Sequence, residues 1–395
     1  MRFRILLLWQ FIALLHISLL STNLVSAQER LSFADRDEAF RLDALVDSVA
    51  DGDLPGGDAW LKWSHHLFRT MDGLIYVPFT LVIEEAPDAF ASISMYVRVA
   101  NLGETSRAGK ERSRRRNYTE FEPGEVPVFV PERATNALTP FITQLAGEHS
   151  AVLRLTHDQA VYDESRYPFE NIHFIDFRAS DTAEPYRVQR AVTVPPGDYD
   201  VYVAVREYRR SGQQPSTPKV AVMKRSLRVP AFSTTDLDTS SIVIAEDILQ
   251  LPSPFNSADQ SNHPYAFGIA EIVPLEHHFL SGDDNLSVVF FVYNAALDAH
   301  RKPNITVEYR FYEQAAVSEV FFSQTAPVEF NPLTLPDQFD FQALDNQLFV
   351  SQTVALQSFS QGAYRLEIVV TDNITSRQNV KNVRFVVTPP HNRQP

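Results

Sequence analysis

The chain has 395 residues, no cysteine, and 49 acidic against 35 basic side chains, so its formal net charge is −14. This charge disfavours nucleic acid and anionic membranes as principal partners. The absence of cysteine excludes both a disulfide framework and a bacterial lipoprotein anchor. After removal of an N-terminal signal, the length suffices for two or three domains with sizeable cores.

The first residues predict secretion. Arg2 and Arg4 precede an apolar run over residues 5–20, and residues 25–27 place small or compact side chains where a signal peptidase reads them. We therefore predict a signal peptide over residues 1–27. An uncleaved membrane anchor is the alternative, but a span needs about 20 apolar residues and this run is shorter. No later stretch is long and apolar enough to cross a bilayer, and the lack of cysteine favours a bacterial periplasm.

A helical segment is predicted over residues 28–64. Leu42, Leu45, Val46 and Val49 recur at helical spacing behind several acidic residues, which indicates one short amphipathic helix from about residue 37 to residue 50. The sequence LPGGD then ends the helix. Beyond this point the pattern is typical of strands almost throughout.

Two later segments share one pattern. The sequences VPPGDYDVYVAVREYRRSG, residues 194–212, and FSQGAYRLEIVVTDNITSR, residues 359–377, align at Gly197 and Gly362. Each has Gly-x-Tyr, then alternating apolar residues, then a polar turn and a second strand. Such alternation predicts strands with one buried face, paired as an antiparallel hairpin.

Paired histidines indicate an internal repeat. His65–His66 and His277–His278 each precede a strong strand, and each following unit ends in the Gly-x-Tyr hairpin. We interpret each pair as a shared entry to a strand, with one imidazole against the core and the other in solvent. The predicted domains are residues 65–232, with an insertion at about 104–184, and residues 271–390. A linker rich in Ser, Thr, Asp and Pro joins them over residues 233–270, and residues 391–395 form a tail.

The strand QGAYRLEIVVTD resembles a late strand of bacterial immunoglobulin-like modules of PKD type. The strand FFVYN is similar to one in the β-sandwich part of uncharacterised secreted proteins of the GWxTD group. These resemblances imply that Tyr199 and Tyr364 are corner tyrosines with a structural role. The expected fold is all-β: two tandem immunoglobulin-like β-sandwiches, with a short N-terminal helix and an irregular insertion in the first sandwich.

No metal or catalytic site is predicted. Adjacent residues of an extended chain point to opposite faces, so a histidine pair seldom offers both imidazoles to one ion. No second ligand pair lies near either histidine pair in the sequence, as a structural zinc site would require. Gly-x-Ser-x-Gly and His-Glu-x-x-His are both absent, and no cysteine can act as a nucleophile. The chain is therefore expected to be a non-enzyme without a cofactor.

The leading functional prediction is a secreted envelope protein that acts as a protein-interaction or scaffold module. The insertion exceeds what a plain sandwich needs, and irregular loops often carry function. It contains a basic run and a polar-aromatic stretch, which supply the candidate contacts with a ligand or partner: Arg114, Arg115, Arg116, Tyr162, Tyr167 and Phe169.

Two alternatives come from other functional classes. One is carbohydrate binding through the aromatic residues of the insertion. The other is an enzyme whose unfamiliar site would bring His149, His157 or His173 together with carboxylates. For the basic run, a solvated loop is the simpler interpretation, because charge runs usually lie on solvated surfaces.

Overall fold

The structure is a computed structural model that describes residues 32–53, 58–70, 72–84, 92–103, 167–177, 186–210, 213–315, 318–335, 339, 341 and 346–390. Within these ranges strands predominate. The predicted signal peptide, the tail and most of the insertion lie outside the described residues. In the described part of the chain, no helix combines the length and apolar character that a transmembrane helix needs.

Helix α1 spans Phe33–Ala50 and begins about four residues before the predicted start. Its N-cap explains the difference. Ser32 Oγ accepts a hydrogen bond from the backbone of Asp35 at 3.1 Å, and the Asp35 carboxylate accepts one from the backbone of Ser32 at 3.4 Å. This reciprocal capping box normally uses Glu or Gln at its third helical position, so the aspartate concealed it in the sequence. At the other end, Gly52 follows with a φ of +114°.

Among the described residues up to Val229, eight strands follow the helix and form two sheets. In the first sheet β3 pairs with β1, β2 and β6, and in the second the order is β5-β4-β7-β8. The strands are β1 Leu61–His65, β2 Phe68–Arg69, β3 Ile75–Ile83, β4 Ser92–Asn101, β5 Phe169–Asp176, β6 Tyr186–Val194, β7 Gly197–Glu207 and β8 Val220–Val229.

The described residues of the C-terminal half form two further sheets and one helical turn at Ser257–Gln260. The third sheet has the order β11-β12-β10-β14-β18 with β9 beside β14, and the fourth has the order β13-β20-β19-β15-β16 with β17 beside β15. The strands are β9 Asp238–Thr239, β10 Val243–Gln250, β11 Ala266–Phe267, β12 Ala270–Pro274, β13 Phe279–Ser281, β14 Asn285–Tyr293, β15 Ile305–Gln314, β16 Glu319–Gln324, β17 Val328–Phe330, β18 Gln347–Ala355, β19 Gly362–Asp372 and β20 Arg377–Thr388.

Each pair of sheets shares a hydrophobic core, as in a β-sandwich. The first core lies between the first two sheets and includes Phe79, Val97 and Val203. The second core lies between the other two and includes Phe290 and Tyr309. All of these side chains are completely buried. The fold is therefore β-rich and sandwich-like, in agreement with the expected all-β class.

Strand β14 is apolar on both faces, and its surroundings explain why. Phe290 and Val292 point into the second core, whereas Phe291 and Tyr293 point to the opposite side of the sheet. This opposite side of the third sheet packs against the N-terminal half of the chain, where Phe68 belongs to the same cluster. A strand buried on both faces is a continuous apolar run rather than an alternating one.

The segment 233–270, predicted to be a linker, instead supplies strands β9, β10 and β11 and the first residue of β12 to the third sheet. Strand β10 pairs with β14 through Val243, Ile244 and Ala245. The apolar run, residues 242–245, is only four residues long within a polar sequence, and backbone pairing with a central strand gives it an ordered place. The Ser, Thr, Asp and Pro residues around this short run dominate the composition of the segment, which is why the sequence predicted a linker.

Part of the predicted insertion is regular structure. Strand β5 pairs antiparallel with β4 along the edge of the second sheet, from Val99 opposite Phe169 to Ser92 opposite Asp176. The polar-aromatic stretch of the sequence thus includes an edge strand. Half-burial of most of its side chains accounts for its mixed composition.

Candidate functional site

The predicted contact residues are only partly within the described chain. Tyr162, Arg114, Arg115 and Arg116 lie outside it. Tyr167 is 8% exposed, and its ring lies under a buried guanidinium whose central carbon is 4.2 Å from the ring centroid. Phe169 is half-buried and packs against the first core. Tyr167 is therefore not an exposed contact residue, because Arg98 occupies the face that a ligand would use.

Arg98 is the centre of a charge cluster that sequence analysis missed. It lies on β4, is 1% exposed, and donates a hydrogen bond to Asp47 of α1 at 2.8 Å. It also pairs with Asp43 of the same helix and lies 3.6 Å from Glu170 of β5. A buried charge is costly unless it is paired in this way. The available signal was an arginine inside the apolar strand SISMYVRVAN, opposite two helical aspartates four residues apart.

The same helix face makes two further polar contacts with the second sheet. Glu38 forms an ion pair with Arg206 and accepts a hydrogen bond from Ser94. Asp35 accepts a hydrogen bond from Tyr208 Oη at 3.0 Å. Apolar residues of α1 lie between these polar groups and pack on the sheet. The acidic helix is thus attached to the sheet by structural ion pairs and apolar contacts.

Tyr199 and Tyr364 occupy matching positions. Tyr199 Oη donates to Pro195 O at 2.8 Å, and Tyr364 Oη donates to Ser360 O at 2.9 Å. At Gly197 an added Cβ would lie 2.9 Å from Tyr199 Oη, so a larger residue there would displace the tyrosine ring. An added Cβ at Gly362 would lie 3.8 Å from its nearest neighbour, Glu313 Oε1, which is ordinary contact. A clash with the tyrosine ring therefore does not explain the second glycine.

The two halves of the chain meet at an aromatic junction, formed by β2 and β3 on one side and the outer face of the third sheet on the other. Phe68 packs against Phe267 and Phe291 with ring centroids 5.0 and 5.7 Å apart. Hydrogen bonds cross the same boundary: Tyr76 Oη donates to Pro264 O at 2.8 Å, and the backbone of Arg69 donates to Tyr293 Oη at 3.1 Å. Aromatic packing and directional bonds together fix the two halves against each other.

Beside this junction lies a cleft of about 720 Å³ that is lined by both histidine pairs. His65 and His66 come from the N-terminal half, and His277 and His278 from the C-terminal half. The remaining lining mixes apolar and polar side chains, including Phe232, Ser240, Ser241, Glu276, Phe279, Lys381 and Asn382. Four imidazoles that are far apart in the sequence therefore share one cleft.

The two histidine pairs occupy different structural settings. His65 ends β1, which runs antiparallel to β3, whereas His278 immediately precedes β13, which runs parallel to β20. The first pair is half-buried and the second pair is exposed. The predicted arrangement, with one imidazole of each pair in a core and the other in solvent, is not what the structure has. The common feature of the pairs is the cleft.

Burial keeps the first histidine pair uncharged. It lowers the pKa of His65, and it lowers the pKa of His66 to about 3, with the neighbouring His65 and His278 adding to the shift. Tyr265 is a further polar neighbour of His66, and its Oη lies 2.9 Å from His66 Nδ1.

We expect the His66 burial to make the fold acid-sensitive. The pKa of His66 in the folded state lies below its unfolded value of about 6.5. The stability that neutral His66 contributes is therefore fully present above pH 6.5 and is lost as the pH falls toward 3. Urea denaturation at pH 7 and pH 4 should show that the free energy of unfolding decreases less for His66→Gln than for the wild type. Equal losses in the two proteins would contradict this assignment.

His173 does not meet a carboxylate among the described residues. It lies on β5, and Arg190 Nε is 3.4 Å from its Nδ1. Burial, followed by the charge of Arg190, lowers the pKa of His173 to about 3, and burial also lowers the pKa of Arg190 to about 10. A neutral imidazole beside a cation is not an acid–base pair of the expected kind. His149 and His157 lie outside the described residues.

Strand β16 forms an open edge of the fourth sheet. Among the described residues it pairs only with β15, and Val320 and Phe321 are 54% and 53% exposed. An extra residue at Phe322 interrupts the ladder, and this side chain points inward onto Phe359 and Tyr364. Edge strands usually carry Lys, Pro or a bulge that prevents pairing with other chains. Here the bulge leaves Glu319–Phe321 regular, with apolar side chains in solvent.

Comparisons with known proteins identify no family. No family model and no curated protein sequence matches the chain. Similar solved structures include Escherichia coli alpha-2-macroglobulin activated by porcine elastase, at 10% identity and a TM-score of 0.20, covering 85% of this chain and 22% of that one. Red sea bream transglutaminase matches at 8% identity and a TM-score of 0.18, covering 83% of this chain and 31% of that one. The chain thus spans less than a third of the length of either protein.

Proposed function

We propose that the chain consists of two tandem immunoglobulin-like β-sandwiches, related to PKD-type modules, in a protein secreted to a bacterial periplasm. Matching strand order supports the tandem arrangement. The order β5-β4-β7-β8 of the second sheet parallels β16-β15-β19-β20 of the fourth, and β1-β3-β6 parallels β10-β14-β18. The equivalent hydrogen bonds of Tyr199 and Tyr364 are what corner tyrosines of such sandwiches make.

The proposed function is a non-enzymatic interaction module of the cell envelope that binds another protein. The observation that carries this proposal is the open edge at β16. Its outward backbone groups can pair with an extended segment of a partner, as in β-strand addition. Val320 and Phe321 would then be covered, and the inward Phe322 would keep the strand attached to the second core.

The proposed occupant is an extended segment of a different protein that carries positive charge. The chain has a net charge of −14, so a second copy would be repelled, whereas a basic segment would be attracted. Glu313 and Glu319 lie opposite Tyr364 and Gln314 at this end of the sheet, and Glu319 also bonds Arg365 at 2.8 Å. Pairing between two copies remains an outcome that the test can detect, as a dimer.

Partner capture tests this proposal. The tagged full-length protein would be crosslinked in intact cells and purified, beside Phe321→Lys and the matched control Val380→Lys, which places the same charge on an exposed valine of β20. We expect one abundant envelope protein to be retained by the wild type and by Val380→Lys, and lost from Phe321→Lys. Equal retention by all three would remove β16 as the contact, and recovery of only a crosslinked dimer would favour a second copy.

A further inference from the structure

Lys381 lies on the core-facing side of strand β20. It is directly opposite Ile368 of β19, and residues opposite each other in an antiparallel pair share one face of the sheet. Ile368 belongs to the second core, and so does Val383, two residues further along β20. Alternation along the strand directs Lys381 to the same side. Lysine is rare on such a side unless an anion pairs with it.

The protein supplies no such anion to Lys381. In the part of the chain that the structure describes, its ammonium group forms neither an ion pair nor a hydrogen bond. The preceding residue on the same face, Asn379, accepts a hydrogen bond from Thr239 Oγ1 at 2.8 Å and donates one to Asp238 Oδ1 at 3.3 Å. These polar groups of β9 serve Asn379, and Lys381 stays half-buried without a counter-charge.

Lys381 lines the cleft of about 720 Å³ at the junction. Among the described residues of the lining, Glu276 is the one carboxylate, and Arg187 neutralises it with Nε 2.7 Å from Oε1. Ser241 adds a donor, because its Oγ accepts from Leu67 N at 3.0 Å while its own proton has no acceptor in the described chain. The uncompensated charge of the lining is therefore positive, in a protein whose net charge is −14.

Apolar side chains form another part of the same lining. Ile242 and Leu275 pack against the second core to which Val383 belongs, and all three residues line the cleft. The first two adjoin strands of the third sheet and the last lies in the fourth, so the cleft opens where these two sheets separate. Small-molecule sites are commonly clefts of about 300–1,000 Å³ between domains, with an apolar wall and a few polar groups.

We propose that the cleft binds a small amphipathic organic acid, whose carboxylate pairs with Lys381 and whose apolar body covers the wall formed by Ile242, Leu275 and Val383. Hydrogen bonds between ionised partners are stronger than those between neutral groups, so the half-buried lysine favours an anion. An inorganic anion would satisfy Lys381 and leave the apolar wall in water, whereas an acid with an apolar chain satisfies both. The site is separate from the β16 edge and does not rest on partner binding there.

Calorimetric titration of the full chain with decanoate tests the site. Two probes with the same ten-carbon chain serve as controls: decanol, which has no charge, and decyltrimethylammonium, which has the opposite charge. We expect one saturable equivalent of decanoate, binding weaker by about tenfold or more for decanol, and no saturable binding of the cation.

Three variants separate the charge from the apolar wall. Lys381→Met keeps the length of the side chain and should weaken decanoate binding by about tenfold or more, with decanol binding unchanged. Leu275→Ala should weaken the binding of both probes by similar factors, because apolar contact does not distinguish them. The matched control Lys219→Met removes a half-buried lysine outside the cleft and should change neither affinity.

A second readout separates binding in the cleft from loose association with the surface. Decanoate should raise the melting temperature of the wild type and of Lys219→Met more than that of Lys381→Met, because a ligand bound only by the folded cleft stabilises it. No saturable binding of decanoate, equal affinities of the wild type for decanoate and decanol, or unchanged decanoate affinity in Lys381→Met would overturn the proposal. Equal weakening of both probes in Lys381→Met would contradict the pairing of the carboxylate with this lysine.

Discussion

Replacing Arg98 by alanine is expected to lower the free energy of unfolding by about 3–5 kcal/mol, because it leaves buried carboxylates without their counter-charge. The guanidinium is 1% exposed, and its partner Asp47 is also buried. Chemical denaturation at pH 7 measures the change. In an Asp47→Asn background the same replacement should lower the free energy of unfolding by less, since residue 47 then carries no charge that needs the arginine.

Arg228→Ala is the matched control. Arg228 also forms an ion pair, with Asp198 at 3.0 Å, but its side chain is 87% exposed. Solvent screens such pairs, so its loss should cost less than about 1 kcal/mol. Similar effects of the two arginine replacements would show that the Arg98 cluster contributes no more than a surface pair. The attachment of α1 would then depend on its apolar contacts alone.

Replacing Phe291 by alanine is expected to destabilise the protein by about 3–5 kcal/mol, the usual cost of truncating a buried phenylalanine. Phe291 is completely buried at the junction, where its ring makes edge contacts with Phe68, Phe267 and Phe349. The affected contacts join the two halves. We therefore expect thermal unfolding of this variant to separate into two transitions, whereas the wild type unfolds in one.

The control for this change is Leu333→Ala, because Leu333 is 95% exposed. Its replacement should alter the free energy of unfolding by no more than about 0.5 kcal/mol. If Phe291→Ala also had an effect this small, or if the wild type already unfolded in two separate steps, the junction would not be a stabilising interface.

Local patterns predicted the two Gly-x-Tyr hairpins and the strand that follows each histidine pair. The Gly-x-Tyr segments became β7 and β19, each paired with the strand that follows it. Apolar and polar residues that alternate along a strand indicate which face is buried, and this pattern can be recognised without knowing which distant residues pack against it. The amphipathic helix was predicted for the same reason, and only its start was displaced, because the cap depends on a reciprocal bond at Ser32.

Long-range contacts were not predictable from these patterns. Nothing near Val243 in the sequence indicates that β10 pairs with β14, where Val243 lies opposite Val289. The Arg98 cluster likewise joins a strand to a helix about 50 residues earlier. The meeting of His66 with His278 in one cleft depends on how two sheets pack, and the spacing of residues along the chain does not contain that information.

Amide hydrogen exchange of the protein alone and bound to its captured partner tests the central claim most directly. That claim is that a partner segment adds to the open edge at β16. We predict that exchange in Glu319–Gln324 slows on binding, because outward amides become paired, while exchange in α1 is unchanged. Protection confined to α1, to the cleft or to any surface other than β16 would contradict the account.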